Sequence, residues 1–124
     1  SDEELYLLAC IIDWEANSES YEGKLAVANV VLNRVRSSAY PNSISGVIYQ
    51  RSQFSGVSDG AGSPSAKFQS RINSGLRSQA CMDAAVEALS GHNNIGGYTS
   101  FRMISAANIS SMSSYVIIGN HVFH

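Results

Sequence analysis

Apolar positions crowd the start of the chain, "LYLLACII" at 5–12, and around them the period is helical rather than alternating. The spacing predicts a helix over 3–17, with Asp2, Glu3 and Glu4 at the end where its dipole is positive. Nearly the whole circumference of this helix is apolar, with Tyr6 and Asp13 as the one polar strip. Such a helix is expected in the middle of a fold. Glu15, in its last turn, falls on the side of Leu8, Ile11 and Ile12 and therefore faces the core.

Ser20 caps a second predicted helix, 21–36, whose apolar face is Leu25, Ala28, Leu32 and Val35, widened by Val27, Val30 and Val31. Asn29 and Asn33 share one side of it. "YPNS" at 40–43 reads as a turn, "ISGVIYQ" as a short helix, and the Gly/Ser-rich 55–65 as a loop. A helical turn is expected over 66–73 and a helix over 77–90, stopped by Gly91. After Gly96 and Gly97 the content becomes strand-like. "YTSFRMI" and "SYVIIGNHVFH" are expected to pair as one antiparallel hairpin across "SAANISSMS". The order predicts an α+β domain without internal repeats.

Composition narrows this picture only a little. A chain of 124 residues, 44% hydrophobic and 15% charged, fits one domain, 1–124, with a core that needs no metal or disulfide. A net charge of −2 gives no basic field for nucleic acid or anionic lipid. No apolar run is long enough to span a membrane, so no membrane insertion is expected. With no signal peptide in view, the chain reads as a mature or excised domain, expected to be a monomer. The 22 serines point to polar loops and to no particular chemistry. Cys10 and Cys81 sit among apolar neighbours outside any zinc-type spacing. They read as two buried thiols or as a helix–helix disulfide.

Glu15 is the first candidate for chemistry. A carboxyl on an apolar helix face has its charged form disfavoured, so it holds its proton toward neutral pH. That is the general acid of glycosidic bond cleavage. The competing reading is a carboxylate paired with an arginine or with backbone donors. Asp13 lies on the opposite face of the same helix and cannot partner it. Glu19 divides evenly between loop structure and site. Glu22 reads as an N-terminal helix charge, and Asp59 as a solvated loop residue. "GVSDG" at 56–60 matches a nucleophile-elbow spacing, with Asp83 and His121 following in order, but it lacks the strand before and the helix after. His121 and His124 have no partner set for a metal, so no metal is expected, and His121 reads as a strand residue lining a cleft. Phe54, Tyr98 and Phe101, flanked by Gln53, Ser55, Ser100 and Arg102, read either as core or as a sugar groove of rings and amides.

"EANSESYEGKLAVANVVLNRV" at 15–35 resembles the cell wall hydrolase family of spore cortex-lytic enzymes. That family has the pattern E-A-x-x-E-x-x-x-G-x-x-A-V-x-x-V-x-x-N-R-V, and every fixed position is met. "YPNSISGVIYQRSQFSGV" at 40–57, "AAVEALSG" and the closing "IGNHVF" are similar to later segments of the family. The resemblance implies a lysozyme-like fold, mostly helical, with a central catalytic helix and a small antiparallel hairpin near the C-terminus. It implies Glu15 as catalytic acid, and a substrate groove lined by Gln53 and Phe54 and flanked by Ser100, Phe101 and Arg102. A tyrosine that the family carries beside the glutamate is lacking at its usual place or displaced to Tyr98.

The activity so implied is cleavage of the β-1,4 bond between N-acetylmuramic acid and N-acetylglucosamine in peptidoglycan. With a lone acid, the expected route is that of a lytic transglycosylase, forming 1,6-anhydro ends without a cofactor. A muramidase using water is the alternative, and a non-catalytic wall-binding module of the same fold a further one. The substrate places the expected site of action outside the cytoplasm, in cell wall or spore cortex. The residues expected to contact substrate are Glu19, Gln53, Phe54, Ser55, Tyr98, Ser100, Phe101, Arg102 and His121.

Overall fold

The computed structural model describes residues 1–124. Its first helix, α1, spans Asp2–Ala16 and begins with a reciprocal cap. The Glu4 amide donates to Ser1 Oγ at 3.2 Å, and the Glu4 carboxylate accepts from the Ser1 hydroxyl at 3.0 Å. No basic residue occupies the last turn of α1. Lys24 supplies the cation from outside: buried, its Nζ donates to the carbonyls of Asn17 at 2.9 Å and Glu19 at 2.6 Å.

Helix α2, Tyr21–Arg36, starts at Ser20, whose Oγ accepts from the Gly23 amide at 3.2 Å. Every residue from Gly23 to Arg34 is buried. The innermost helix is therefore α2, whereas α1 is buried only over 8–13 and at Ala16. The reason is length and position: α2 carries apolar residues all round its middle turns, and α1 leaves its first two turns at the surface.

Three shorter helices complete the helical part: α3 at Ile44–Ile48, α4 at Ala66–Ser74 and α5 at Gln79–Leu89. Helices α1, α2 and α5 pack against one another. The small residues Cys81, Ala84, Ala85 and Ala88 form the buried face of α5, opposite Leu8, Ile11, Leu25 and Val31 in one apolar core. Residue 77 lies outside α5, because Arg77 is drawn to Asp13. Its amide, Nε and Nη2 all donate to Asp13, at 2.7–2.8 Å. The polar strip at Asp13 is thus a buried ion-pair site with Arg77 and Arg71. Cys10 and Cys81 are buried free thiols, and burial pushes the Cys10 thiol up to about 11.

The C-terminal part is a three-stranded antiparallel sheet in the order β1–β3–β2. Strand β1 is Phe101–Met103, β2 is Val116–Ile118 and β3 is His121–Phe123. The expected pairing between the two strand-like segments is present as β1 with β3, Met103 opposite His121 and Phe101 opposite Phe123. The second segment, however, folds back on itself. Gly119 and Asn120 close a tight β2–β3 hairpin, with Ile118 opposite His121. Gly-Asn between two apolar runs is a two-residue turn signal, since Gly adopts positive φ without strain, here +59°. No helix is long and apolar enough to cross a membrane.

Candidate active site

The last turn of α1 delivers Glu15 to a cleft of about 240 Å³. Its carboxyl is half-buried, and burial alone pushes its pKa up to about 7, with no hydrogen bond or charge to offset it. The cleft has Gln53, Phe54 and Ser55 on one wall and Phe101, Arg102 and Met103 of β1 on the other. Arg34 and His121 complete it. Glu15 is its only carboxyl group.

Local packing explains how each wall is held. Trp14 precedes Glu15, and its indole N–H donates to the Ser55 carbonyl at 3.1 Å. Its ring meets Phe68 edge-on at 5.4 Å. Gly56, at φ +76°, lets the loop come this close; a Cβ there would lie 3.3 Å from Trp14 Cζ2. On the other side, the polar edge of α2 grips the segment leading into β1. Asn29 Nδ2 donates to the His92 carbonyl at 3.0 Å, and Asn33 Nδ2 to those of Gly96 and Tyr98, both at 2.8 Å. Arg34 Nε donates to the Thr99 carbonyl at 2.7 Å and its Nη1 to Gln53 Oε1 at 3.2 Å. The same guanidinium lies over the rings of Tyr40 and Phe54, at 5.0 and 5.2 Å. Arg34 thereby ties both walls together, and it makes no ion pair with Glu15.

Beneath the cleft the rings form a floor. Phe101 lies 6.4 Å from Phe54, stacks on Phe123 at 5.7 Å, and meets His121 edge-on at 5.2 Å. Two larger polar cavities adjoin the cleft. One, of about 710 Å³, shares Gln53, Phe54 and Ser55 with it and extends to Asp59, Gly60 and Ala61. The other, of about 560 Å³, shares Arg102 and reaches Tyr98, Asn108 and His124. Of the three, only the smallest is lined by Glu15.

Of the residues expected to contact substrate, the cleft gathers Gln53, Phe54, Ser55, Phe101, Arg102 and His121 around Glu15. It does not include Glu19, Tyr98 or Ser100. Glu19 instead holds the β2–β3 turn: Oε1 accepts from the Asn120 amide and Oε2 from Asn120 Nδ2, each at 3.0 Å. Burial works to raise its pKa, but these bonds, His121 and Lys24 outweigh it, and the net shift is downward. The Tyr98 side chain faces the neighbouring 560 Å³ cavity, so no tyrosine lines the wall beside Glu15. Ser100 exchanges backbone hydrogen bonds with His124 and serves the sheet. The "GVSDG" serine is no nucleophile elbow, because Ser58 Oγ accepts from the Gly60 amide at 2.9 Å within a loop. No group of three His, Cys, Asp or Glu side chains gathers to hold a metal ion.

Sequence reasoning missed Trp14 and Arg34 as parts of the site. The signal for Arg34 was present: an arginine following Asn29 and Asn33 on a helix otherwise apolar over its middle has to find buried acceptors.

Fold and site together define a small lysozyme-like α+β domain with one unpaired, half-buried carboxyl in its cleft. Residues 18–124 match the model of a family described as Cell Wall Hydrolase, and the chain belongs to that family. The match starts three residues after Glu15, so the case for that residue rests on its geometry. The chain is 45% identical over 60 residues to the spore cortex-lytic enzyme of Bacillus subtilis (strain 168), covering 48% of this chain and 20% of that protein. It is 32% identical over 126 residues to the spore cortex-lytic enzyme of Halalkalibacterium halodurans, covering 99% of this chain and 35% of the relative. The chain thus spans between a fifth and about a third of the length of these curated relatives. Among solved structures, the catalytic domain of the Bacillus cereus SleB protein superposes with a TM-score of 0.80 at 28% identity, over 99% of this chain and 90% of the other. The catalytic domain of SleB from Bacillus anthracis, described as a germination-specific lytic transglycosylase, gives 0.79 at 27% identity, over 99% and 94%.

Proposed function

We propose that this chain is a peptidoglycan-cleaving glycosidase that acts on the β-1,4 bond between N-acetylmuramic acid and N-acetylglucosamine as a lytic transglycosylase. The observation that carries this reading is Glu15, an unpaired carboxyl with a pKa raised to about 7 and the only acid in its cleft. Near neutral pH such a group can both give and take a proton.

Glu15 donates its proton to the glycosidic oxygen as the C1–O bond breaks. With no second carboxylate to attack C1, the substrate's own acetamido oxygen bonds to it and carries the positive charge as an oxazolinium ion. The muramic 6-hydroxyl then attacks C1 and displaces that oxygen. Its proton goes to the Glu15 carboxylate, which restores the acid and leaves a 1,6-anhydro end. The flanking cavities suit a glycan strand lying across Glu15, with Phe54 and Phe101 as apolar surface and Gln53 and Arg102 as polar partners. The similarity to spore cortex-lytic enzymes supports wall or cortex as the substrate, outside the cytoplasm. No cofactor enters the scheme.

Mass spectrometry of the muropeptides released from purified peptidoglycan tests it. The reading expects 1,6-anhydro ends from the wild type and none from Glu15→Gln. Reducing ends would make the chain a muramidase that uses water. Release by Glu15→Gln at the wild-type rate would remove Glu15 from the chemistry.

A further inference from the structure

His121 is the cleft residue with the least ordinary surroundings. It is 4% exposed, at the first position of β3. Its Nδ1 is enclosed and has no hydrogen-bond partner, and it points to Glu19 Oε1 at 3.9 Å. That separation is too long for a hydrogen bond but short for an ion–dipole contact. The ring borders the cleft that holds Glu15, and with Nδ1 turned to Glu19 it is Nε2 that stays free of any protein hydrogen bond. Edge-on contacts with Phe101 and Phe123 fix the ring plane. Glu19 cannot drift, since Asn120 holds both of its oxygens. A carboxylate on the Nδ1 side favours the tautomer with the proton on Nδ1, which leaves a lone pair on Nε2. Burial lowers the pKa of the imidazole against the opposing pull of Glu19, which favours the neutral ring.

Substrate-assisted cleavage needs such a group. As the acetamido oxygen bonds to C1, positive charge grows on the amide nitrogen, and its N–H calls for an acceptor backed by negative charge. The cleft offers no second carboxylate. Arg34 and Arg102, its other charged groups, have only donors.

We infer that His121 is a second catalytic residue, whose Nε2 accepts a hydrogen bond from the 2-acetamido N–H of the muramic residue, with Glu19 as the positioning residue behind it. No proton leaves the amide in this step. The C1–O bond to the leaving sugar breaks, the acetamido oxygen bonds to C1, and the N–H stays shared with Nε2. This inference rests on the proposed function, because it presumes that the acetamido group takes part.

The test compares wild type, His121→Ala, His121→Gln and Glu19→Gln on two substrates: native glycan strands, and strands whose muramic acetamido groups have been chemically removed to amines. On native strands His121→Ala is expected to lower kcat at least about tenfold with little change in KM. His121→Gln, which keeps an acceptor, should recover part of the loss, and Glu19→Gln should fall between. On stripped strands all four should turn over at similar slow rates, since the group His121 serves is gone. An equal penalty for His121→Ala on both substrates would assign it a purely structural role and overturn the inference. Circular dichroism confirms that each variant is folded. Absence of cleavage by the wild type on native strands would instead defeat the proposed function, so the two failures are separable.

Discussion

The indole N–H of Trp14 donates to the carbonyl of Ser55, 3.1 Å away, and so joins the helix that carries Glu15 to the loop that forms the facing wall of its cleft. The bond is the one polar link between α1 and that loop at this point. Trp14→Phe keeps the edge contact with Phe68 and removes the donor. The expected stability loss is about 1 kcal/mol, the size of one hydrogen bond. Glycan release should suffer more, with a KM raised several-fold as Ser55 loses its anchor. Thermal unfolding and steady-state kinetics on the same preparation read both effects.

Asp13 lies one helical half-turn from Glu15 and does a different job. It is 0% exposed, and Arg77 and Arg71 converge on it. Arg71 Nε has no other partner. Asp13→Asn preserves shape but strands two guanidinium groups against a neutral amide. A cost of roughly 2 kcal/mol is expected from the weakened charge-assisted hydrogen bonds, because Arg77, half exposed, can turn part of its charge to water. Urea unfolding should show a lower midpoint with an unchanged slope.

Gly119 and Glu19 form a coupled pair. A Cβ at Gly119 would lie 2.5 Å from Glu19 Oε1, and the residue sits at φ +59°. The carboxylate can swing aside only by releasing Asn120. Gly119→Ala should therefore cost about 2–3 kcal/mol, combining left-handed strain with the lost hydrogen bonds. In a Glu19→Ala background the same change should cost only about 1 kcal/mol, the strain alone. A double-mutant cycle by chemical denaturation measures the difference.

The helices were legible from period and caps. Ser20 and the apolar run behind it place α2 at its observed bounds, and Glu15 stood out because a carboxyl among isoleucines is out of place. The sheet was harder. Its strands are three residues each, too short for alternation to show, and the Gly119–Asn120 turn sat inside what read as one segment. That Glu19 and Tyr98 lie outside the cleft of Glu15 was hidden for a related reason: which cavity a loop side chain enters depends on long-range contacts, here with Asn120 and with Asn33, that no local spacing encodes. Trp14 carried no signal of its own, because its partner, Ser55, lies in a loop with no pattern.

Burial of Glu15 also makes stability depend on pH. Its folded pKa of about 7 exceeds the ordinary 4.5. The folded form binds the proton more tightly, so this contribution is full below pH 4.5 and fades as pH rises through 7. Glu15→Gln removes the dependence. At pH 8 the variant should be more stable than the wild type by on the order of 2 kcal/mol, a figure reduced for the solvent at the cleft mouth. Near pH 4 the two should unfold alike. Denaturation midpoints across pH 4–8 check the sign.

A carbon-13 NMR titration of the Glu15 side-chain carboxyl reads directly whether that group keeps its proton near neutrality. Glu15 as the acid requires a midpoint near 7, a signal absent in Glu15→Gln, and a basic limb of glycan cleavage that follows the same midpoint. A midpoint at the ordinary carboxylate value near 4.5, with cleavage undiminished at pH 8, would contradict it.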